Sequence, residues 1–283
     1  MSDVGLVCDS TCDLGPEWLS ARGVTMVPLR VHFGDEAYLD WIDLTPDEFY
    51  AKLKSSPTLP KTSQPSPADF AAAYQRLASE GAREIVVVTL SSPLSGTYES
   101  AMLAAAEAPV PVRVVDSRSA SQGTGLVVKA AIEARDAGSS AEEVEAAASM
   151  AASEVHLYFV VETLEYLVKG GRAGRAQALA ASLLNIKPVL HIGRDGVVEP
   201  YKKVKGMRGA IEEMAARIAE DSKTTPMRVS VLWGQRADLV DSMKAALAAS
   251  GARYEIESVG IVGAVIGTYT GPEVVGIAYH PAR

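Results

Sequence analysis

Apolar β-branched runs alternate with helical patterns through the first half of the chain. Three stretches read as a strand, a polar turn and a helix: VGLVCDSTCDLGPEWLSARG, EIVVVTLSSPLSGTYESAMLAAAEA and VRVVDSRSASQGTGLVVKAAIEARDAG. This order is typical of a mostly parallel sheet covered by helices. In such a sheet the turns that follow the strands lie along one edge, where ligands of α/β proteins bind. We therefore expect the three polar turns to face a common crevice.

The stretch TSQPSPADFAAAYQRLASEG fits the same edge as a loop that leads into a helix. Ser66 suits the N-cap, Pro67 suits the first helical position, and Asp69 completes an approximate capping box. The prolines of KTSQPSP, residues 61–67, stiffen this loop. The loop is therefore expected to hold Thr62 in place ahead of the helix.

From about residue 156 the pattern changes. Strands are predicted for HLYFVVETL, MRVSVLW, RYEIESV and VVGIAYH, and helices for RAQALAASLL, GAIEEMAARIAED and LVDSMKAALAAS. IKPVLHIGRDGVVEPYKKVKG predicts a hairpin turned at Asp195-Gly196, a favoured two-residue turn. We predict an α/β protein of two domains. Residues 1–155 form a three-layer α/β/α domain with a mostly parallel sheet, and residues 156–283 form an α/β domain with a mixed sheet.

Composition and charge exclude several classes of partner. No segment of the 283 residues approaches the roughly 18 consecutive apolar residues of a membrane span, and no basic region precedes an apolar run at the N-terminus. A cytoplasmic protein without membrane insertion is the expectation. The formal net charge of −8 disfavours binding to nucleic acid or to anionic lipid surfaces. Cys8 and Cys12 are so close in sequence that a disulfide between them would do little to stabilise the fold, and they lack the spacing of a redox motif. Both are therefore expected to be reduced.

Motifs of common catalytic sites are missing from the sequence. It contains no H-E-x-x-H, no G-x-S-x-G and no G-x-x-x-x-G-K-[ST]. GTGLVV at 123–128 begins like a dinucleotide fingerprint but lacks the third glycine. The four histidines are scattered beside predicted strands, as core or surface histidines commonly are: His32, His156, His191 and His280. We therefore predict no catalytic residue, no metal site and no cofactor.

Two polar turns carry the most informative chemistry. Ser95 and Gly96 precede a helix of good helix formers, so a hydroxyl and exposed backbone N–H groups can form an anion-binding end there. A simple helix cap explains Ser95 equally well, and Thr62 has the same ambiguity. Two such turns on one sheet edge, without a general base nearby in sequence, suit holding a carboxylate better than attacking an ester. Tyr269 in GAVIGTYTGPEVVG and Arg172 in VKGGRAGRA are more readily explained by packing and by a helix end.

Seven motifs in order along nearly the whole chain carry a family resemblance: VCDSTCDL, TSQPSP, LSSPLSGTYESA, VVDSRSASQGTG, LEYLVKGGRAG, LLNIKPVL and VIGTYTGP. Together they resemble the bacterial DegV family of fatty-acid-binding proteins, which includes the carrier subunits of fatty acid kinases. The resemblance implies a two-domain α/β protein that buries a long-chain fatty acid, such as palmitate or oleate, and is not itself a catalyst. It also implies that a kinase partner phosphorylates the bound carboxylate in the carrier members.

By motif match, the resemblance places carboxylate-binding groups at Thr62, Ser95 and the backbone around Gly96. Carrier members commonly have histidine where this chain has Tyr269, and a neutral phenol lacks the charge-assisted hydrogen bond of an imidazolium. The family's basic position after the hairpin falls on Lys205, which lacks arginine's bidentate fork. Two alternatives stay open at this point: a serine-dependent acyl hydrolase with Ser95 as nucleophile, and a regulatory module that senses lipid.

Overall fold

The structure, a computed structural model, describes residues 3–179 and 186–282. In the first half, up to residue 155, the strands are β1 (Val4–Asp9), β2 (Val24–Val27), β3 (Arg30–Phe33), β4 (Glu36–Leu39), β5 (Lys61–Ser63), β6 (Glu84–Thr89) and β7 (Val112–Asp116). Its helices are α1 (Pro16–Ser20), α2 (Pro46–Ser55), α3 (Pro67–Ser79), α4 (Thr97–Ala105), α5 (Gln122–Asp136) and α6 (Ala141–Glu154).

In the second half the strands are β8 (His156–Val160), β9 (Ile186–Ile192), β10 (Val198–Lys205), β11 (Met227–Trp233), β12 (Tyr254–Ile261) and β13 (Val275–Pro281). Its helices are α7 (Glu165–Lys169), α8 (Gly206–Asp221), α9 (Ala237–Ala249) and α10 (Ala264–Thr270). Short 3-10 helices cover Ser10–Cys12 and Gly174–Leu179. None of the helices in the described ranges is both long and apolar enough to cross a bilayer.

A four-stranded parallel sheet organises the first half, in the order β2-β1-β6-β7. Every residue of β1 is buried, because helices cover both faces of the sheet. Leu6 and Cys8 point toward α5 and α6, whereas Val7 points toward α3 and α4. The alternation follows from the two-residue period of a strand. The predicted three-layer α/β/α arrangement with a parallel sheet is confirmed.

A small antiparallel sheet, in the order β4-β3-β5, is a feature that the sequence pattern missed. Residues 61–63 were expected to be loop, but they form β5, in which Thr62 pairs with Val31 of β3. The three strands have only three or four residues each, which is too short for a clear two-residue period. The helix start after β5 is as predicted: Ser66 and Asp69 form a complete capping box at α3.

A six-stranded mixed sheet organises the second half, in the order β10-β9-β8-β13-β11-β12. β11 and β12 are parallel and the remaining neighbours are antiparallel, so the sheet is mixed, as predicted. One face packs on α8 and α9, and the other packs on α5 and on loops of both halves. The predicted helix RAQALAASLL is a 3-10 helix up to Leu179, and its remaining residues lie outside the described ranges.

The predicted hairpin between β9 and β10 is present, but its turn differs from the two-residue turn expected at Asp195-Gly196. The Gly196 N–H donates to the Gly193 carbonyl, so Arg194 and Asp195 are the central residues of the turn. Gly196 follows them with φ at +79° and completes a longer loop. A type I turn followed by a left-handed glycine is the usual way to close such a loop.

The two halves share an extensive contact. The Tyr50 hydroxyl of α2 donates to the Val262 carbonyl just before α10 (3.2 Å), and Arg228 of β11 pairs with Glu133 of α5 at 2.6 Å. The described strands of the parallel sheet all end before residue 156, and those of the mixed sheet all begin at residue 156 or later. The division into domains at 155 and 156 stays a prediction.

Candidate functional site

The turns that follow β1, β6 and β7 meet at one edge of the parallel sheet, as expected. The Leu90 N–H, after β6, donates to the Asp9 carboxylate at the end of β1 (2.7 Å). The Ser91 N–H donates to the Ser119 carbonyl in the turn after β7 (2.8 Å). The three turns are therefore joined by hydrogen bonds, and the second half covers the crevice that they form.

A cavity of about 290 Å³ lies in this crevice, and we call it the central cavity. Most of its wall is apolar, and the polar groups are few, as is usual for small-molecule sites. Its apolar lining includes Leu29, Leu90, Leu94, Ala120, Leu157, Phe159, Leu167, Ile192, Val198, Leu232, Val265, Ile266 and Val274. Its polar lining is Thr62, Ser63, Gln64, Ser95, Ser121, Arg172, Tyr269 and Thr270. The predicted residues Thr62, Ser95 and Tyr269 thus line one cavity.

Thr62 and Tyr269 form a hydrogen bond at the polar end of the central cavity. Their hydroxyl oxygens are 2.5 Å apart, and either group can donate. β5 positions Thr62 through its ladder with β3, and α10 carries Tyr269. The Tyr269 ring packs on Gly170, where a Cβ atom would overlap the ring. A side chain at Gly170 would therefore displace the tyrosine from Thr62.

Ser95 does not cap α4. The N-cap residue is Gly96, and no side chain caps this helix, in contrast to the complete capping boxes of α2, α3 and α6. The Ser95 hydroxyl instead lies 2.9 Å from the Thr97 hydroxyl. The cap explanation for Ser95 is therefore wrong. The first turn of α4 keeps the positive end of its helix dipole open beside the Ser95 hydroxyl.

Gln64 joins the two predicted turns and was missed by the sequence analysis. A Cβ atom added to Gly96 would lie 2.5 Å from the Gln64 amide nitrogen, so the amide packs directly on the glycine. Only a residue without a side chain permits this approach. The segment at 61–67 and the turn at 94–97 therefore touch through Gln64, which lines the central cavity together with Thr62 and Ser95.

Arg172 is the charged group in the described lining of the central cavity. From the sequence it could pair with a carboxylate or close a helix end, and neither role placed it in the site. Its guanidinium lies over the Tyr269 ring, 5.1 Å from the ring centroid, and its Nε donates to the Leu94 carbonyl at 3.3 Å. Arg172 was hard to find because Arg175, three residues later, has the same local sequence character but pairs with Asp195 and Glu199. Lys205 is exposed at the end of β10 and is not part of the lining.

An outer cavity adjoins the polar end of the central cavity. It is lined by Leu59, Pro60, Lys61, Thr62, Tyr166, Lys169, Gly170, Arg172, Thr268 and Tyr269. Three of these residues, Thr62, Arg172 and Tyr269, line both cavities. A group held between Thr62 and Tyr269 is therefore adjacent to a second, cationic space.

Two buried aspartates of the first half hold the start of α10. Asp13 accepts hydrogen bonds from the Ser121 hydroxyl (2.6 Å) and from the Gly263 N–H (3.0 Å). Asp40 accepts from the Ala264 N–H at 3.1 Å. Both carboxylates are almost completely inaccessible to solvent. The helix that carries Tyr269 is thus fixed at its first turn by side chains far away in sequence.

Burial shifts the protonation of these carboxyl groups. Loss of hydration raises the pKa of Asp40 to about 7, against the opposing effect of hydrogen bonds from Ser10 and from the start of α10. Burial and the nearby Asp40 charge raise the pKa of Asp13 well above its usual range. Burial also raises the pKa of Asp9. The sequence does not reveal this cluster, because acidic residues in turns usually serve as exposed caps.

The described lining of the central cavity offers Ser95 no general base. Its hydrogen-bond partner is the Thr97 hydroxyl, and the described lining contains no histidine, lysine or carboxylate. A serine nucleophile needs a base within hydrogen-bond reach. The geometry therefore favours binding over acyl hydrolysis.

Comparisons with known proteins agree on one family. A family model described as "Uncharacterised protein, DegV family" matches residues 3–282. The chain is 37% identical over 274 residues to a DegV domain-containing protein of Streptomyces coelicolor, with 97% of each chain covered. It is 35% identical to a fatty acid-binding protein of Thermotoga maritima, with 96% of each covered. A solved structure described as fatty acid binding of a DegV family protein from Thermus thermophilus matches with a TM-score of 0.93 and 38% identity, over 100% of both chains.

Proposed function

Because the chain belongs to the DegV family, we propose that it binds one long-chain fatty acid, such as palmitate or oleate, in the central cavity. The observation that carries the proposal is the distribution of groups around that cavity. Its wall is mostly apolar, and hydroxyl groups from β5 and α10 are found where it meets the outer cavity. The Ser95 hydroxyl, from the turn before α4, lines the central cavity as well. The names of relatives from Thermotoga maritima and Thermus thermophilus support the choice of ligand.

The acyl chain supplies the affinity. Burying some fifteen methylene groups of a palmitate chain, at ~0.8 kcal/mol each, gives on the order of 12 kcal/mol of gross favourable transfer free energy. An ionised head group without partners would offset much of this, since burying an unpaired carboxylate costs several kcal/mol. The site therefore needs donors at one end and nothing but apolar contacts along the rest.

Thr62 and Ser95 donate hydrogen bonds to the carboxylate in this proposal, with the backbone at Gly96 beside them. Tyr269 can donate to the carboxylate or to the Thr62 hydroxyl, which it already contacts. Arg172, above the Tyr269 ring, adds a positive charge at the same end. The open helix start at α4 favours an anion for the same electrostatic reason.

The protein acts as a carrier, not as a catalyst, and needs no cofactor. The outer cavity would leave the carboxylate within reach of a partner while the chain stays buried. A fatty acid kinase that phosphorylates the bound carboxylate is the partner that fits this arrangement, and we expect the pair to work in the cytoplasm. A module that only senses lipid would bind the same ligand without being coupled to phosphorylation.

The bound lipid itself tests the central proposal. Mass spectrometry of an organic extract from gently purified protein should show a long-chain fatty acid near one per chain. Delipidated protein should gain thermal stability on addition of palmitate or oleate, by mass action. Repeated absence of lipid, together with no stabilisation by either acid, would overturn the proposal.

A second experiment separates a carrier from a sensor or an enzyme. Palmitate-loaded protein is incubated with ATP and kinase-containing fractions, and acyl phosphate is measured. Formation of acyl phosphate supports the carrier role. If a partner protein binds the loaded protein but no acyl phosphate forms, the result supports a lipid sensor. Labelling of Ser95 by a fluorophosphonate would instead indicate a nucleophilic serine.

A further inference from the structure

A polar cavity of about 590 Å³, which we call the side cavity, lies between the two halves of the protein. The first half contributes the turn after β7 and the last turns of α6, and the second half contributes the start of β8 and the hairpin between β9 and β10. The described linings of the side cavity and the central cavity share Leu157 and Ile192 but no polar residue. Its volume is typical of small-molecule sites, which span ~300–1,000 Å³. The side cavity is therefore a candidate site in its own right.

Arg194 carries an unpaired charge in the side cavity. The two carboxylates of the described lining have cationic partners: Asp116 pairs with Arg118 at 2.9 Å, and Glu199 pairs with Arg175 at 2.8 Å. Arg194 lines the same space, and within the described ranges no residue forms an ion pair or a hydrogen bond with its side chain. The side cavity therefore attracts an anion.

Two less exposed side chains of the lining can donate hydrogen bonds to such an anion. The Ser119 hydroxyl has no hydrogen-bond partner in the described part of the chain, although Ser119 is only 3% exposed. A buried hydroxyl without a partner is uncommon in proteins, and a ligand oxygen would supply the missing acceptor. His156, which is half-buried, lines the same cavity. Burial lowers its pKa, so the ring is neutral near pH 7 and keeps one N–H donor.

The composition of the lining narrows the class of ligand. An alkyl chain would desolvate the charged groups without offering them hydrogen bonds, which is unfavourable. An inorganic anion would engage Arg194 but leave most of the volume and the two carboxylates unused. Carboxylate oxygens accept hydrogen bonds from hydroxyl groups. A ligand that combines an anionic group with several hydroxyl groups therefore complements both parts of the lining.

We propose that the side cavity binds a small phosphorylated molecule that also carries hydroxyl groups, such as a sugar phosphate or a polyol phosphate. Arg194 binds the phosphate, because a guanidinium presents paired donors that match phosphate oxygens. Ser119 and His156 are further donors to the phosphate, and Asp116 and Glu199 accept hydrogen bonds from the hydroxyl groups. This site is separate from the fatty acid site, so both ligands can be bound at once.

Isothermal titration and NMR test the site and its location. Glucose 6-phosphate and glycerol 3-phosphate are titrated into delipidated protein and into palmitate-loaded protein, with glucose, glycerol and inorganic phosphate as controls. At least one of the two phosphate esters should bind about tenfold more tightly than inorganic phosphate, and glucose and glycerol should not bind. Binding should shift the ring C–H signals of His156 and His191, which both line the side cavity.

His32 reports on the competing location. Its ring lies 2.9 Å from the hydroxyl of Ser63, in the lining of the central cavity, and it pairs in the β3–β5 ladder with Lys61 of the outer cavity. Phosphate held at the cationic outer cavity would therefore shift the His32 signals and leave those of His156 and His191 unchanged. That result, or binding of neither phosphate ester, overturns the inference. Palmitate binding is measured separately and decides the proposed function.

Matched variants test the assigned roles. Arg194→Ala should weaken binding of the phosphate ester about tenfold, and Arg194→Lys should lose less because it keeps the charge. Arg83→Ala removes an exposed arginine at the opposite edge of the parallel sheet and should have no effect.

A pair of serine variants compares two hydroxyl groups of the same cavity. Ser119→Ala should weaken binding of the phosphate ester about fivefold. Ser153→Ala should change it little, because the Ser153 hydroxyl already donates to the Met150 carbonyl at 2.7 Å. Thermal unfolding and retained palmitate binding establish that each variant is folded, and Arg194→Lys carries the test if Arg194→Ala unfolds. Unchanged affinity in the folded Arg194 variants overturns the inference.

Discussion

The hydroxyl groups of Thr62 and Tyr269 are 2.5 Å apart, although 207 positions separate the two residues in the chain. Thr62 belongs to a three-residue strand of the first half, and Tyr269 belongs to a short helix near the C-terminus. Neither half alone brings these groups together. The proposed head-group site therefore depends on the contact between the halves.

Removing the hydroxyl donors should weaken binding of the ionised ligand specifically. Thr62→Val and Ser95→Ala should each reduce palmitate affinity about ten- to a hundredfold, since hydrogen bonds to charged groups contribute about 1.5–3 kcal/mol. Isothermal titration with palmitate and with its methyl ester measures this. The ester lacks the charge, so its affinity should change little. Equal losses for the acid and the ester would mean that the two hydroxyls shape the cavity without binding the head group.

Replacing Tyr269 by histidine should make binding depend on pH. A histidine with an ordinary pKa of about 6.5 becomes an imidazolium in mildly acidic solution and can make a charge-assisted hydrogen bond to the carboxylate. Tyr269→His should bind palmitate several-fold more tightly at about pH 5.5 than at about pH 8, relative to the wild type at the same two values. Tyr269→Phe is the control, because it keeps the ring beside Arg172 and lacks a titrating group. If the ratio of palmitate affinities at the two pH values is the same for Tyr269→His as for the wild type, position 269 does not face the head group.

Arg172 should contribute modestly, and in a salt-dependent way. Arg172 is an exposed residue, and exposed ion pairs are worth ~0–1 kcal/mol. Arg172→Ala should therefore weaken palmitate binding by up to about fivefold at low salt, with the difference shrinking in high salt. Arg208→Ala removes an exposed charge of α8 that pairs with Glu212 and should have no effect. A loss for Arg172→Ala that persists in high salt would point to packing on Tyr269 and not to charge.

A methyl group at Gly96 should disturb the site through Gln64. Gly96→Ala places a Cβ atom against the Gln64 amide and should destabilise the protein by about 1–3 kcal/mol, or displace Gln64 and weaken palmitate binding. Gln64→Ala added to Gly96→Ala should restore much of the loss. Gly209→Ala is the matched control: the nearest atom to its Cβ would be 3.8 Å away, and the change should stabilise α8 by up to ~1 kcal/mol. If the effects of Gly96→Ala and Gln64→Ala on stability and on palmitate binding simply add in the double variant, the contact between Gln64 and Gly96 is contradicted.

Asp40 should make the folded state less stable as pH rises. Its pKa is raised from 3.8 to about 7 in the folded protein, so the folded state holds a proton that the unfolded chain releases. The resulting stabilisation is fully present below about pH 4 and is lost as pH rises through about 7, with an upper bound of ~4 kcal/mol. Urea unfolding from about pH 5 to about pH 8 should show a steeper fall in the free energy of unfolding for the wild type than for Asp40→Asn. Parallel curves for the two proteins would contradict this assignment.

Much of the fold was predictable because the longer strands and helices show a clear period in the spacing of their hydrophobic residues. The apolar runs of β1, β6 and β7 and the capping box of α3 were recognised directly. β3, β4 and β5 were missed, because strands of three or four residues give no period and are defined only by their partners. The hairpin turn was misplaced by one residue because Asp195-Gly196 also suits a left-handed glycine that follows a turn.

The candidate site was predictable only in part. Thr62, Ser95 and Tyr269 were selected by motif, and the structure brings all three to the central cavity. Gln64 and Arg172 were not selected, because an amide in a loop and an arginine near a helix end have common structural explanations. What singles them out is their contact with residues distant in sequence: Gln64 with Gly96, and Arg172 with Tyr269. No local pattern encodes such contacts.

The way Asp13 and Asp40 hold α10 also bears on how the site can diverge between related chains. They bind main-chain N–H groups at the first turn of the helix, and any residue other than proline offers such a group. The Tyr269 hydroxyl, in contrast, belongs to the last turn of the same helix. The anchor of α10 and the proposed head-group contact thus lie at opposite ends of one short helix and do not depend on the same residues. A lineage can exchange the residue at 269 for a different ligand chemistry while the helix keeps its place.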